Sequence, residues 1–384
     1  MVATGTSNSI PFTDVRLEPE DIEAVAEVLR AGWLTLGPRT QAFEDAFAAH
    51  LGVRHAVSLS SCTAALHLAY LAAGIGPGDE AIVPAMTFAA TANAVLYCGG
   101  RPVFADVVGP EDLGVDPDDV ERHIGPRTKA VCAVHFAGYP AAVNRLRELC
   151  DANRIALIED AAHAPSATLG GRKLGTWGLA GAFSFFSNKI LSCGEGGLLA
   201  TDDDEVAALA RKLRSHGMSS GSWSRFTGQS REYDVQGLGF NYRLDEPRAA
   251  LLLSRLARLE ADIARRRELT RRYRSRLAAV DGLILPYDDD SVGRSSCYVM
   301  PVLVADPARR DDVRRVLQDE HLVQTSIFYP AVHELTAYRR RLGLQRLPAT
   351  ELVAGTEITI PLYPHMDAPT QDRVIAALED ALAR

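Results

Sequence analysis

From about residue 55 the chain alternates short, unbroken apolar runs with helix-patterned segments. "HAVSL" is followed by "CTAALHLAYLAA", "EAIVPA" by "AATANAVLYC" and "KAVCAVHF" by "AAVNRLRELCDAN", while "PVFADV", "IALIED", "GAFSFF" and "GGLLATD" are further runs of the same kind. Runs that do not alternate with polar residues suit strands buried on both faces, and helical segments between them suit crossovers of a mainly parallel sheet. The expected class is therefore α/β. A chain of 384 residues is long enough for one large and one smaller domain. Residues 244–280 read as one long helix with a solvated, arginine-rich face. After it "CYVMPVLV", "DDVRRVLQDEHL", "QTSIFYP", "EITIPLYP" and "QDRVIAALEDALA" alternate on a shorter scale, as in a small α+β unit. The expected division is 1–250 for an N-terminal segment plus the large domain, and 251–384 for the small one. The helix around "PEDIEAVAEVLRAG" is expected to pack with the small domain or against a partner chain.

Charge and cysteine usage narrow the function classes. A net charge of −8 disfavours nucleic acid or an anionic membrane as the main partner. No apolar run reaches the roughly 18 residues of a membrane span, and "MVATGTSNSIPF" lacks a signal-peptide core. A cytoplasmic location is the expectation. The six cysteines (Cys62, Cys98, Cys132, Cys150, Cys193, Cys297) show no C-x-x-C pair, which suits reduced thiols better than zinc or a disulfide framework, so no metal is expected.

Open α/β sheets hold ligands at the carboxyl ends of their strands. "HAVSL" runs into "SSCTAAL", a hydroxyl-rich turn opening a helix whose N-terminus suits a phosphate; plain capping by Ser61 or Thr63 explains the same residues. "IALIE" runs into Asp160, with His163 close by. An acidic pair ending an apolar strand is costly to bury unless it is bonded. The carboxylate could hold a proton on a cationic heterocycle, or it could cap a helix or join a structural ion pair. Further on, "GAFSFFSNKILSCGEGG" contains Lys189, one of only four lysines among 41 basic residues. A lysine in an apolar pocket has a lowered pKa and becomes an amine able to form a Schiff base with an aldehyde. Arginine stays protonated and cannot replace it. The competing reading is a lysine snorkelling to the surface. Ser184, upstream on the same segment, could give a phosphate a hydroxyl donor. Together these pieces are what pyridoxal phosphate requires.

Motifs over nearly the whole length carry a resemblance. "GWLTLGPRTQAFEDAFA", "SSCTAALHL", "GDEAIVPAMTFAATANAVLYCGGRPVFADV", "IEDAAHA", "FSFFSNKILSCGEGG", "LGFNYRLDEPRAAL", "TSIFYPAVH" and "ITIPLYP" resemble the DegT/DnrJ/EryC1/StrS family of sugar aminotransferases. That family lies within the fold-type I, aspartate aminotransferase-like pyridoxal phosphate enzymes. The resemblance implies that Lys189 forms the Schiff base with the cofactor and that Asp160 pairs with its ring nitrogen. It implies that Ser184, with the helix start at Cys62 and Thr63, holds the phosphate, and that Phe88 stacks on the ring. His163 would sit beside the ring hydroxyl, and Lys189, Asp160 and His163 form the implied catalytic set. Asn241 would reach the phosphate of a neighbouring subunit, which implies a homodimer with shared active sites. His333, Tyr329 and Phe328 fall on the implied substrate side. Cys62 stands where the family often has glycine, Asn188 where Ser or Thr often precedes the lysine, and Phe328 where a histidine is frequent. Glu195 is read as part of the turn.

The activity implied is transfer of an amino group, with L-glutamate as donor, to a nucleotide-linked keto-6-deoxy sugar. A dTDP-4-keto-6-deoxyhexose is favoured, and amination at C4 over C3. An aminotransferase acting on a free keto-cyclitol is the alternative, and a non-catalytic cofactor-binding regulator is a third reading. Sugar dehydratases of the family carry histidine at the lysine position, and Lys189 argues against that branch.

Overall fold

The computed structural model describes residues 9–219, 227–228 and 232–384. The sequence runs become a seven-stranded sheet: β1 (His55–Leu59), β2 (Glu80–Pro84), β3 (Arg101–Ala105), β4 (Thr128–Val134), β5 (Ala156–Asp160), β6 (Ala180–Ser184) and β7 (Gly197–Thr201). Their spatial order is β1-β7-β6-β5-β4-β2-β3. Neighbours from β6 through β5, β4 and β2 to β3 are parallel. β7 alone runs the other way, antiparallel to both β1 and β6. The connection explains this: residues 185–196 contain no helix, and a parallel return needs a longer crossover, usually helical.

Successive strand residues go to opposite cores, as the pleat requires. Ala56, Leu157, Phe183 and Leu198 join one buried cluster, and Val57, Ile158, Ala182 and Leu199 the other. The sheet is thus covered on both faces, which is why its strands lack polar alternation. Helix Cys62–Ala72 follows β1, is capped by the Ser61 side chain accepting the Ala64 N–H, and is buried around most of its circumference. Helix Ala89–Tyr97 follows β2 in the same way.

The long helix expected over 244–280 is two: Glu246–Leu256 and Leu259–Leu277. No proline or glycine marks the break. Arg258 leaves the helical region there (φ −108°, ψ 2°) and its guanidinium bonds both oxygens of Asp21, a fully buried carboxylate of helix Pro19–Ala31. Nor is the arginine face fully solvated. Arg255 and Arg266 are buried and donate to the carbonyls of Ser192 and Ile190, and of Tyr298 and Leu362. Helix Pro19–Ala31 packs on Glu246–Leu256, and the expected boundary at 250/251 falls inside helix Glu246–Leu256.

A second, antiparallel sheet of β8 (Leu283–Ile284), β9 (Met300–Val304) and β10 (Glu357–Ile360) lies in the last third of the chain. Helices Arg310–Asp319 and Ala368–Ala383 pack against each other beside it. Among the described residues no helix is long and apolar enough to cross a membrane.

Candidate active site

The carboxyl ends of β1, β2, β4, β5 and β6 lie along one edge of the sheet, and the reversed β7 begins at that same edge. A cavity of about 370 Å³ opens there. It collects Cys62 and Thr63 after β1, Phe88 after β2, Asp160 at the end of β5, Ser184 at the end of β6, and His163 and Lys189 beyond. Phe328 and Tyr329 close it from the later part of the chain. Register fixes the relation of the central groups. Asp160 stands beside Val134 on one side and Ala182 on the other, and Ser184 stands beside Gly197.

Lys189 is enclosed by protein yet open to the cavity, and burial brings its ammonium pKa down to about 8 against the pull of Cys62 and Asp160. Its Nζ lies 4.4 Å from the centre of the Tyr298 ring, a cation–π contact that a desolvated ammonium favours. Asp160 is buried. Its Oδ2 accepts from Thr91 Oγ1 at 2.8 Å and its Oδ1 from the Ala162 N–H at 3.1 Å. Burial still pushes its carboxyl above the ordinary range, with Thr91, Ala162 and Lys189 working the other way. Among the described residues no cation forms an ion pair with this carboxylate, and a protonated ring nitrogen is a group that fits.

His163 is held neutral: burial, then Lys189, take it well below the usual imidazole range. Its Nε2 lies 2.9 Å from Tyr329 Oη, while its Nδ1 is buried with no hydrogen-bond partner in the described structure. The Asn188 side-chain oxygen is likewise buried and unbonded. The Cys62 thiol, raised well above its ordinary value by burial, stays protonated. Ser184 Oγ accepts from the Phe186 N–H at 3.4 Å, a long bond that leaves its hydroxyl proton for another acceptor. Phe88 is 59% exposed, its ring centre 5.6 Å from that of Tyr329, so one ring face is left for a flat ligand. The donor set, the uncompensated carboxylate and the orphaned polar atoms fit pyridoxal phosphate.

Two expected residues lie elsewhere. Asn241 is exposed and bridges to Ser215, outside this cavity; within its own chain it does not meet Lys189. His333 does not line this cavity either. The short turn Val332–Glu334 buries its ring against Phe104, with Nε2 3.5 Å from Glu351 Oε1. Sequence reasoning missed Thr91, Tyr298 and the wall position of Glu195. Glu195 does belong to the turn and also stands on the cavity wall. Tyr298 carried no signal beyond a strand-like context. Gly197 is a further omission: a Cβ there would lie 2.2 Å from the Ser61 carbonyl carbon and 2.3 Å from the Cys62 nitrogen, so only glycine lets β7 reach the helix start.

A model of the DegT/DnrJ/EryC1/StrS aminotransferase family matches residues 15–379. The spore coat polysaccharide biosynthesis protein SpsC of Bacillus subtilis is 38% identical over 378 residues, covering 97% of this chain and 96% of SpsC. The aminotransferase TlmJ from Streptoalloteichus hindustanus superposes with a TM-score of 0.91 at 37% identity, covering 98% of this chain and 99% of that one. The PLP form of the putative sugar aminotransferase Spr1654 from Streptococcus pneumoniae gives 0.89 at 26% identity, with 98% and 99% covered.

Proposed function

The chain belongs to the DegT/DnrJ/EryC1/StrS aminotransferase family, and we propose that it moves the amino group of L-glutamate to a nucleotide-linked keto-6-deoxy sugar. It is a pyridoxal phosphate-dependent aminotransferase of fold type I. A dTDP-4-keto-6-deoxyhexose aminated at C4 is the favoured acceptor. The observation that carries the reading is Lys189: an enclosed amine, brought to about pKa 8 by burial, in one cavity with the buried Asp160.

When bound, the cofactor supplies an aldehyde carbon and an electron-accepting ring. The chain's own groups do the rest. Near neutral pH part of the Lys189 population is unprotonated, so its Nζ can take a proton from one carbon and return it to another. Asp160, on the cavity wall, would hold a proton on the ring nitrogen. The N–H groups at the start of helix Cys62–Ala72, with Ser184 Oγ, would receive the phosphate. Phe88 would cover the ring and help to exclude water, and neutral His163 would lie beside it as a hydrogen-bonding group. The aromatic walls Phe88, Phe186 and Phe328 suit a sugar with a methyl group in place of a hydroxymethyl.

Further parts of the proposal are a homodimer in which Asn241 serves the partner's phosphate site, and the division of the chain at 250/251. Asn241's exposure outside its own cavity supports the first, and the two separate sheets support the second. A cytoplasmic location is supported by six free cysteines. The free keto-cyclitol reading has no specific observation in its favour. Incubation of the enzyme with a dTDP-4-keto-6-deoxyhexose, L-glutamate and cofactor, read by product mass and NMR, tests the acceptor. A 4-amino sugar nucleotide is expected. Amination of a free keto-cyclitol with no amino sugar product overturns the assignment.

A further inference from the structure

Behind the Phe328–Tyr329 wall lies a carboxyl group that the chemistry above does not use. Glu357 opens β10 and has no exposed surface. Its Oε2 accepts the Phe328 N–H at 2.8 Å, and Thr359 Oγ1 donates to Oε1. The charged groups that act on it are Arg310 and Arg314 of helix Arg310–Asp319, and each is bonded elsewhere. Arg310 bonds Asp311 and the Ala354 carbonyl, and Arg314 bonds Thr325. The Tyr329 phenol, on the cavity side, is the further titratable group that feels its charge. A carboxyl group is costly to bury unless its atoms are bonded, and here one of its bonds secures the backbone of a cavity-wall residue. That wall carries the site's aromatic contacts onward. The Phe328 ring centre is 5.9 Å from those of both His163 and Tyr298, and Tyr329 Oη lies 2.9 Å from His163 Nε2.

We propose that Glu357 is a positioning residue for amino transfer: its carboxyl group seats Phe328 and Tyr329, and through the Tyr329 hydroxyl it orients the His163 imidazole. Glu357 touches neither cofactor nor substrate, and its role rests on the cavity being the reaction site. Burial raises its pKa to about 8 from 4.5, so the neutral form is the one the fold favours, and this contribution to stability is complete below pH 4.5 and is lost as pH rises through about 8. The Phe328 and Thr359 bonds favour the charged form, so ionisation lowers stability without releasing the Phe328 N–H.

The test compares Glu357→Leu, which removes the acceptor for the Phe328 N–H, with Glu357→Gln, which keeps an acceptor oxygen and cannot ionise. In the loaded enzyme the Leu variant is expected to raise the acceptor-sugar KM by ~10-fold through the Phe328–Tyr329 wall and, because His163 lies beside the cofactor in both half-reactions, to slow both of them by a smaller common factor. The Gln variant should match the wild type at neutral pH and lack the loss of thermal stability that the wild type shows above about pH 8. A readout without turnover is the ring-nitrogen NMR signal of His163 in the cofactor-free protein, which should move in the Leu variant and stay in the Gln variant. An unmoved His163 signal with unchanged KM in a folded Leu variant overturns the proposal. So does a Gln variant as impaired as the Leu one. If the Leu variant does not fold, Thr359→Val, which strips the other bond from the carboxyl, must shift the same His163 signal. Failure of every keto sugar to be aminated by the wild type would instead sink the acceptor assignment, and the His163 signal would still decide the role of Glu357.

Discussion

Glu159 and Asp160 are neighbours at the end of β5, and they face opposite ways into the two layers around the sheet. Glu159 is fully buried and saturated: its oxygens meet His135 Nε2 at 3.0 Å and accept the N–H groups of Gly175, Trp177 and Gly178. Asp160 is nearly as buried but, among the described residues, has only Thr91 and Ala162 as donors, and burial raises its pKa. One carboxylate ties a loop; the other is left short of a positive charge. The pair shows how a structural acid differs from a site acid when sequence position and burial are almost the same: the difference lies in how many donors the fold has already supplied.

The largest effect should come from the group that the under-satisfied side serves. Lys189→Ala, and equally Lys189→Arg, should lower amino transfer by at least ~10³-fold, with loss of the visible absorption of the covalently held cofactor. Retained absorption in the arginine variant would break the argument that a neutral amine is needed.

Next, the two carboxylates should separate cleanly. Asp160→Asn should cost ~10²–10⁴-fold in rate and leave the thermal midpoint of the cofactor-free protein unchanged or higher. Glu159→Ala should instead destabilise the fold by about 3–5 kcal/mol, since it orphans several buried donors at once. If denaturant curves rank the two the other way, the contrast is wrong. A smaller effect is expected of Gly197→Ala, at about 1–3 kcal/mol in unfolding plus weaker cofactor binding by equilibrium dialysis. The added methyl has to displace the Ser61–Cys62 backbone.

A pH dependence sharpens the comparison further. Lys189 has its pKa lowered from 10.5 to about 8 by burial, so the unfolded chain binds more protons than the folded one between those values. Stability of the cofactor-free enzyme should therefore rise with pH across that window, and the contribution is lost as pH falls through about 8. Lys189→Met should flatten that part of the profile in thermal unfolding. The smallest effect should be that of Thr91→Val, about 1 kcal/mol, seen as a further upward shift of the Asp160 carboxyl when its infrared band is followed with pH.

Lys189, Asp160 and Ser184 were legible because their chemistry admits few other residue types and because strand ends are readable from apolar runs. The sheet was legible for the same reason, since burial on both faces leaves a continuous apolar signature. The reversal of β7 follows from the length of one connection, and it too could have been read. His333, Glu357, Tyr298 and the break at Arg258 were not legible. Each depends on a partner in another element of the fold: Glu351 or Phe104 for His333, the Phe328 N–H for Glu357, the Lys189 ammonium for Tyr298, Asp21 for Arg258. The sequence by itself determined which groups could do chemistry and along which sheet edge they lie. Only the tertiary structure decided which buried polar atoms were left without partners, because that depends on donors and acceptors brought together from separate elements of the chain.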